Sequence, residues 1–376
     1  MKKYSVLFLI LFGCLINSSE INGQNSNFKI EGTINVDSGK IYLNFYSDYI
    51  PGEINEMIAE IKNKRFSFSG HIPESQGVFI AVDSNYISSD FVIDKGVQTI
   101  FIDIDSVRKV PVVKNKTMLE EYPNYITFYE EINAKKDLFD QKRDSLYKLY
   151  NYDLPNSIRL ILDEEQKAIY NASDSTLLKY TERNPNSKIA FWVLARLMNW
   201  GYEPIFDAIY NNFSEVLKEG YAGKILGEKI QNSRQLSVEQ MFPSFNCQNA
   251  NEENFSSRIF YENKFTLVDF WYSRCGPCLA QFSRMRDLYQ QYSGSGFEII
   301  GISIDQIRDK KEWEDIIVKE KLVWKQYWDK DGIESRRFSI NAFPTNFLID
   351  STGKIIDKNI SMEALSEFLR SHGSSL

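Results

Sequence analysis

Short runs in which apolar and polar positions alternate fill the first third of the chain: Phe28-Lys29-Ile30-Glu31, Lys40-Ile41-Tyr42-Leu43-Asn44-Phe45, Arg65-Phe66-Ser67-Phe68, Val78-Phe79-Ile80-Ala81-Val82 and Thr99-Ile100-Phe101-Ile102-Asp103-Ile104. Period two belongs to a strand with one buried face, and turn residues at Gly32, Asp37-Ser38-Gly39, Pro51-Gly52, Gly70 and Lys95-Gly96 separate the runs. Residues 24–113 are therefore expected to form a small all-β antiparallel sandwich or barrel. From about Thr117 the period lengthens. Leu119, Tyr122, Ile126, Tyr129 and Ile132 recur at three- and four-residue steps, the spacing of one helix face. Further helices are expected over 157–172, 174–183, 187–198 and 203–217, with breaks at Pro155, Asn184-Pro185, Gly201 and Gly220. Residues 114–235 thus read as a helical middle segment whose aromatics fit a core. After Leu236 strands and helices alternate: strands over 265–271, 297–304, 345–350 and 354–359, helices over 278–292, 310–319 and 362–371. That order predicts a three-layer α/β unit around a mixed sheet, closed by a hairpin.

The first residues carry a different message. Met1-Lys2-Lys3 is basic, residues 4–16 are mostly apolar, and polar Asn17, Ser18, Ser19 and Glu20 follow. This reads as a signal peptide over residues 1–23 with cleavage before Gln24, and so as export to the periplasm or cell envelope. Leu11-Phe12-Gly13-Cys14 also resembles a lipobox that would lipidate Cys14, but Phe12 is bulky there and Leu15-Ile16 continues the apolar run. No segment of the mature chain has the roughly 18 consecutive apolar residues of a membrane span. The chain has 376 residues, too many for one small module. Its 51 acidic residues against 44 basic ones, a net charge of −7, argue against nucleic acid as a partner. Only two histidines occur, His71 and His372, which leaves little for a histidine triad or a multi-histidine metal site.

Chemistry concentrates at Cys275-Gly276-Pro277-Cys278, where the first strand of the C-terminal unit gives way to its first helix. Unpaired N–H groups and the positive end of the macrodipole stabilise a thiolate there. Cys275 is the expected nucleophile. Cys278, one turn along the same face, is the expected resolving thiol, and Pro277 needs no N–H donor in the first turn. Zinc would want a second ligand pair, for which only Cys247 remains in the mature chain. A purely structural disulfide would close too short a loop to stabilise much.

Three motifs together, Leu267-Val268-Asp269-Phe270-Trp271, the CxxC and Phe343-Pro344-Thr345, resemble the hallmarks of the thioredoxin superfamily. With the leader and the run Gly296-Phe297-Glu298-Ile299-Ile300-Gly301-Ile302-Ser303-Ile304-Asp305, the likeness narrows to exported TlpA/ResA-type thiol:disulfide oxidoreductases, and covers residues 236–376. The β-rich and helical regions resemble, more loosely, the accessory region of exported Bacteroidetes-type members. The resemblance implies a thioredoxin fold and a cis Pro344 beside the CxxC. Phe343 or Thr345 would then pair through its backbone with an extended substrate, and Arg274, Gly276 and Pro277 would complete the substrate-facing set. It also implies a buried Asp269 exchanging a proton with Cys278, where the residues alone equally allow an acid satisfied by backbone donors. Arg274 stands where the family usually has Trp, adding a cation beside Cys275, and Gln281 stands where many TlpA/ResA-type members have Glu. The implied activity is reduction or isomerisation of protein disulfides, recharged by an envelope electron donor and needing no bound cofactor. Two other readings are a thiol peroxidase and a non-enzymatic envelope scaffold. The first would want a hydroxyl residue and a proline where Tyr272 and Val268 stand.

Overall fold

The structure, a computed structural model, describes residues 26–52, 55–83, 86–106 and 109–372. The expected leader, its cleavage point and Cys14 lie outside the described residues. Nine strands among the described residues make one open, half-barrel sheet: β1 (Phe28–Ile34), β2 (Ser38–Phe45), β3 (Glu56–Lys62), β4 (Arg65–Gly70), β5 (Gln76–Val82), β6 (Tyr86–Ile87), β7 (Phe91–Ile93), β8 (Gly96–Ile102) and β9 (Val112–Lys114). They run in the order β6-β5-β2-β3-β4-β1-β8-β9, with β7 also on β5. Alternation does what the sequence implies: β1 buries Phe28, Ile30, Gly32 and Ile34 and turns Lys29, Glu31 and Thr33 outward. The tight β3–β4 turn has positive φ at both Asn63 and Lys64, the backbone of a turn whose twist matches the strands it joins. Two features depart from an antiparallel sandwich. There is one sheet, and its β1 and β8 pair in parallel, which the long excursion through β2–β7 makes possible.

The helical middle comprises α1 (Lys116–Phe128), α2 (Glu130–Leu149), α3 (Asn156–Arg183), α4 (Lys188–Leu197), α5 (Ile205–Asn212), α6 (Glu215–Lys218) and α7 (Tyr221–Ser233). It shares the half-barrel's core, in which Ile30, Ile80 and Ile100 of the sheet join Tyr180, Leu194, Ile209 and Leu226 of the helices. Four expectations change. The helices expected over 157–172 and 174–183 are one; the helix expected over 203–217 is two, α5 and α6, parted at Phe213 and Ser214; α7 adds a helix; and Leu119 is 62% exposed, its place against the core taken by Met118. Helix α4 lies so close to the sheet that a Cβ on Gly77 would come 2.7 Å from the Trp192 ring. Trp192 is held there by a 3.1 Å hydrogen bond from its indole N–H to the Ser75 carbonyl. Gly77→Ala is expected to lower stability by about 1–3 kcal/mol through overpacking, read as a fall in the denaturant midpoint. An unchanged midpoint would mean that Trp192 yields.

The C-terminal unit is a thioredoxin-like α/β domain. Its five strands, β10 (Phe265–Trp271), β11 (Phe297–Ser303), β12 (Lys325–Trp328), β13 (Thr345–Asp350) and β14 (Ile355–Lys358), run in the order β12-β11-β10-β13-β14. β10 is central, parallel to β11 and antiparallel to β13, and buried on both faces as such a strand must be. The sequence reading lacks β12, a four-residue edge strand. On one face α9 (Gly276–Tyr292), α10 (Lys310–Lys319) and α12 (Met362–His372) pack over Leu267 and Trp271 through Phe282, Trp313 and Leu365. On the other, Phe242 and Phe245 of the incoming segment and Phe260 of the one-turn α8 (Arg258–Tyr261), with Phe338 after the short α11 (Ile333–Arg337), cover Val268 and Phe270.

Candidate active site

Strand β10 ends at Trp271, four residues before Cys275, and Cys275 is the N-cap of α9. The N-cap position asks for a side-chain acceptor for an orphan N–H of the first turn, and sulfur supplies it: the Cys278 N–H donates to Cys275 Sγ at 3.2 Å. Pro277 sits in that first turn without breaking a bond. Cys275 and Cys278 form a disulfide, with Cα atoms 5.2 Å apart. Cys275 is only 2% exposed in this oxidised form, while Arg274, Gly276 and Pro277 around it are exposed.

The segment before Cys275 is clamped to the end of β11 by a buried carboxylate. Asp305 accepts the Ser273 N–H at 3.1 and 3.0 Å on its two oxygens, the Ser273 hydroxyl at 2.6 Å and the Ser303 hydroxyl at 2.6 Å. Burial raises its pKa and these bonds oppose the rise. The one sign of Asp305 in the sequence is an acid shortly after a buried strand.

Arg274 does not stand as a lone cation beside Cys275. Its Nε and Nη2 reach Glu312 Oε2 at 2.9 and 2.7 Å and Nη2 reaches Asp309 at 3.0 Å, so two carboxylates offset one guanidinium. Arg274→Ala is accordingly expected to move the Cys275 thiol pKa by less than about half a unit, a small step on the scale of helix-start effects, as followed by thiolate absorbance. A larger rise would restore the guanidinium as a direct thiolate partner.

Asp269 lies mid-β10, opposite Gly301 of β11 and Asn346 of β13. By alternation it shares the face of Leu267 and Trp271, which carries α9 and both cysteines. It is buried, its Oδ1 has no hydrogen-bond partner, and burial pushes its pKa up to about 8. On α9, Gln281 Oε1 is likewise buried without a partner. The Phe343–Pro344 peptide is cis. Phe343 meets the Tyr272 ring edge-on at 5.7 Å, and Thr345 Oγ1 closes the loop by donating to the Ala342 carbonyl at 2.7 Å. Cys247, the free cysteine among the described residues, is buried in the opposite face's core. Burial, with Asp329 and Glu334 nearby, pushes its thiol pKa up, so it stays protonated. Among the described residues no group of three or more His, Cys, Asp or Glu side chains is placed to hold a metal, and no helix is long and apolar enough to cross a membrane.

Residues 238–358 match the AhpC/TSA family model and residues 28–122 match a domain of unknown function, DUF4369. Curated relatives include the thiol-disulfide oxidoreductase ResA of Bacillus thuringiensis subsp. konkukian, 32% identical over 120 residues, covering 29% of this chain and 64% of that protein. ResA of Oceanobacillus iheyensis is 29% identical over 116 residues, covering 30% and 59%. The chain thus spans less than two thirds of the length of these relatives. Similar solved structures include the C-terminal domain of a putative thiol-disulfide oxidoreductase from Bacteroides thetaiotaomicron (29% identity, 38% of this chain and 97% of that one, TM-score 0.34). A thioredoxin-like protein from Bacteroides caccae matches over 59% of this chain and 86% of its own (17% identity, TM-score 0.43).

Proposed function

We propose that this chain, whose C-terminal unit is an AhpC/TSA-type, thioredoxin-like domain with ResA relatives, is an exported thiol:disulfide oxidoreductase of the cell envelope that reduces or isomerises protein disulfides through Cys275 and Cys278. The observation that carries the reading is the Cys275 sulfur standing as the N-cap acceptor of a 17-residue helix with its partner sulfur three residues on. In the reduced form the Cys275 thiolate attacks one sulfur of a substrate disulfide. That S–S bond breaks, a mixed disulfide forms, and the other substrate sulfur leaves as a thiolate and takes a proton. Cys278 then gives its proton through water to ionised Asp269 and attacks Cys275 Sγ; the Cys275–substrate S–S bond breaks, and the second substrate sulfur leaves as a thiolate that takes the proton back from Asp269. Two electrons pass from the dithiol to the substrate, one proton comes from Cys278 and the other from solvent, and the Cys275–Cys278 bond re-forms. A thiol-bearing electron donor of the envelope returns the pair to the reduced state. Arg274, Gly276, Pro277, Phe343 and Thr345 are the surface that meets the substrate, with cis Pro344 holding the loop beside the CxxC. A peroxidase reading lacks support, because Val268, where the cradle would want proline, is buried under the opposite face's core.

The reduced protein is expected to catalyse insulin disulfide reduction. Its equilibrium with glutathione is expected to fall toward the reducing end of the roughly −120 to −270 mV span of such dithiols. A potential near −120 mV would make it an oxidant instead, and an inert reduced protein would remove the enzyme reading.

A further inference from the structure

We propose that Gln326, on the edge strand β12, is a positioning residue for dithiol exchange: its carboxamide N–H donates to Asp269 Oδ1 in the ionised form of that carboxyl, the form that takes the Cys278 proton. The inference deepens the proposed mechanism and rests on it. One row of residues crosses the sheet at this level. Gln326 of β12 pairs with Gly301 of β11, Gly301 with Asp269 of β10, and Asp269 with Asn346 of β13. Residues paired across a sheet share a face. Here it is the face of α9 and both cysteines, because Leu267 and Trp271 on β10, Ile299 on β11 and Leu348 on β13, each two residues from a member of the row, belong to that core. Gly301 opens the middle of the row. A Cβ on it would lie 2.2 Å from Gln326 Oε1 and 2.9 Å from Nε2, so the Gln326 carboxamide fills the place of the missing side chain, next to Asp269. Trp271 fixes which way the carboxamide is turned. An indole N–H can only donate, and it meets Gln326 Oε1 at 3.2 Å, so the oxygen faces Trp271 and the nitrogen is left for the rest of the row.

Two incomplete groups therefore share the row: Gln326 Nε2 is buried with no acceptor, and Asp269 Oδ1 is buried with no donor. Such groups are rare enough in a folded core to call for a reason. Asn346, on the other flank of Asp269, is committed to the Ile360 backbone, donating to its carbonyl at 3.2 Å and accepting its N–H at 3.0 Å. The titratable side chains in this core are Cys275, Cys278, Tyr289 and Tyr292 of α9 and Tyr272 after β10, while α10 and α12 bring Trp313 and Leu365. None of them displaces the Asp269 pKa, which burial alone raises. A hydrogen bond to the charged form favours that form, and the Gln326 N–H is the donor the row offers. Because it carries no charge, it eases ionisation without holding Asp269 permanently ionised, and the carboxyl can both take a proton and give it back.

The test reads Asp269 directly. In the oxidised full-length chain, where the disulfide keeps both thiols out of the titration, the Asp269 carboxyl carbon is followed against pH by NMR of protein labelled at aspartate Cγ. Its signal is identified by its loss in Asp269→Asn. Gln326→Met, close in volume and without the N–H, is expected to move the titration up by about one unit, the low end of what one hydrogen bond to a charged group contributes. Gly301→Ala, whose methyl takes the place of the carboxamide, should shift it the same way and serves where Gln326→Met does not fold. In single turnovers of the reduced protein, the pH at which release of the mixed disulfide accelerates should rise by the same amount in either variant, with its formation unchanged. A role confined to propping Trp271 would lower stability in Gln326→Met and leave the Asp269 titration in place; that result, or a downward shift, overturns the inference. An upward shift in a chain that exchanges no disulfides overturns the exchange reading instead, so the two failures are told apart.

Discussion

Replacing Cys275 with serine is expected to bring insulin reduction down to the uncatalysed rate, while replacing Cys278 with serine leaves the attack intact and halts the cycle at the mixed disulfide. The asymmetry follows from the helix start. In the disulfide form the Cys275 sulfur is the N-cap acceptor of the Cys278 N–H; a thiolate in that place is expected to be stabilised by the N–H and the positive end of α9, and such placements hold thiols at pKa values of roughly 3.5–7.5. A serine alkoxide is far too basic to form there. Cys278, itself buried, lacks the N-cap position and keeps its proton until a base takes it. Substrates incubated with Cys278→Ser should therefore remain attached through Cys275, visible on a non-reducing gel and released by excess thiol. Attachment through Cys278 in the Cys275→Ser variant would invert the two roles, and substantial turnover by Cys275→Ser would end the dithiol mechanism.

What the sequence made readable was whatever is local. Strand β10 announces itself by seven consecutive residues suited to burial on both faces, and α9 by the Pro277 that tolerates only its first turn. Cys275 and Cys278 are read correctly as a pair because the helical repeat alone brings them together. The strand missed, β12, has four residues on a sheet edge, too few to show a period. The run from Leu119 to Ile132 contains the period of one helix but spans two, α1 and α2, which meet at Tyr129, so Leu119 faces away from the core that Tyr129 and Ile132 join. Contacts between residues far apart in the chain leave still less trace. Glu312 lies 38 residues from the Arg274 it pairs with, and Ser75 lies 117 residues from the Trp192 that binds it.

Asp269→Asn is expected to produce the second large effect, raising stability and slowing resolution together. The wild-type carboxyl has its ordinary value of 3.8 when the chain is unfolded and about 8 when buried. Between those values the native state holds a proton that the unfolded state has released. Stability from this group is therefore complete below about pH 4 and is lost as pH rises toward 8. Asparagine does not titrate. Its advantage over the wild type should be small near pH 4 and grow with pH, to on the order of 4 kcal/mol at neutrality at 1.36 kcal/mol per unit. Thermal unfolding of the oxidised proteins checks this, since the disulfide keeps the two thiols out of the titration. A gap between variant and wild type that does not widen with pH would place the carboxyl in a wetter site than β10 provides. In the proposed mechanism the same substitution removes the base that takes the Cys278 proton, a contribution of about a hundredfold or more for a positioned general base. Single-turnover release of the mixed disulfide by the wild type should accelerate as pH rises through about 8, and the variant should lose that limb while forming the mixed disulfide at the normal rate. Slowing of both steps alike would assign Asp269 to the architecture of the site and take it out of the proton path.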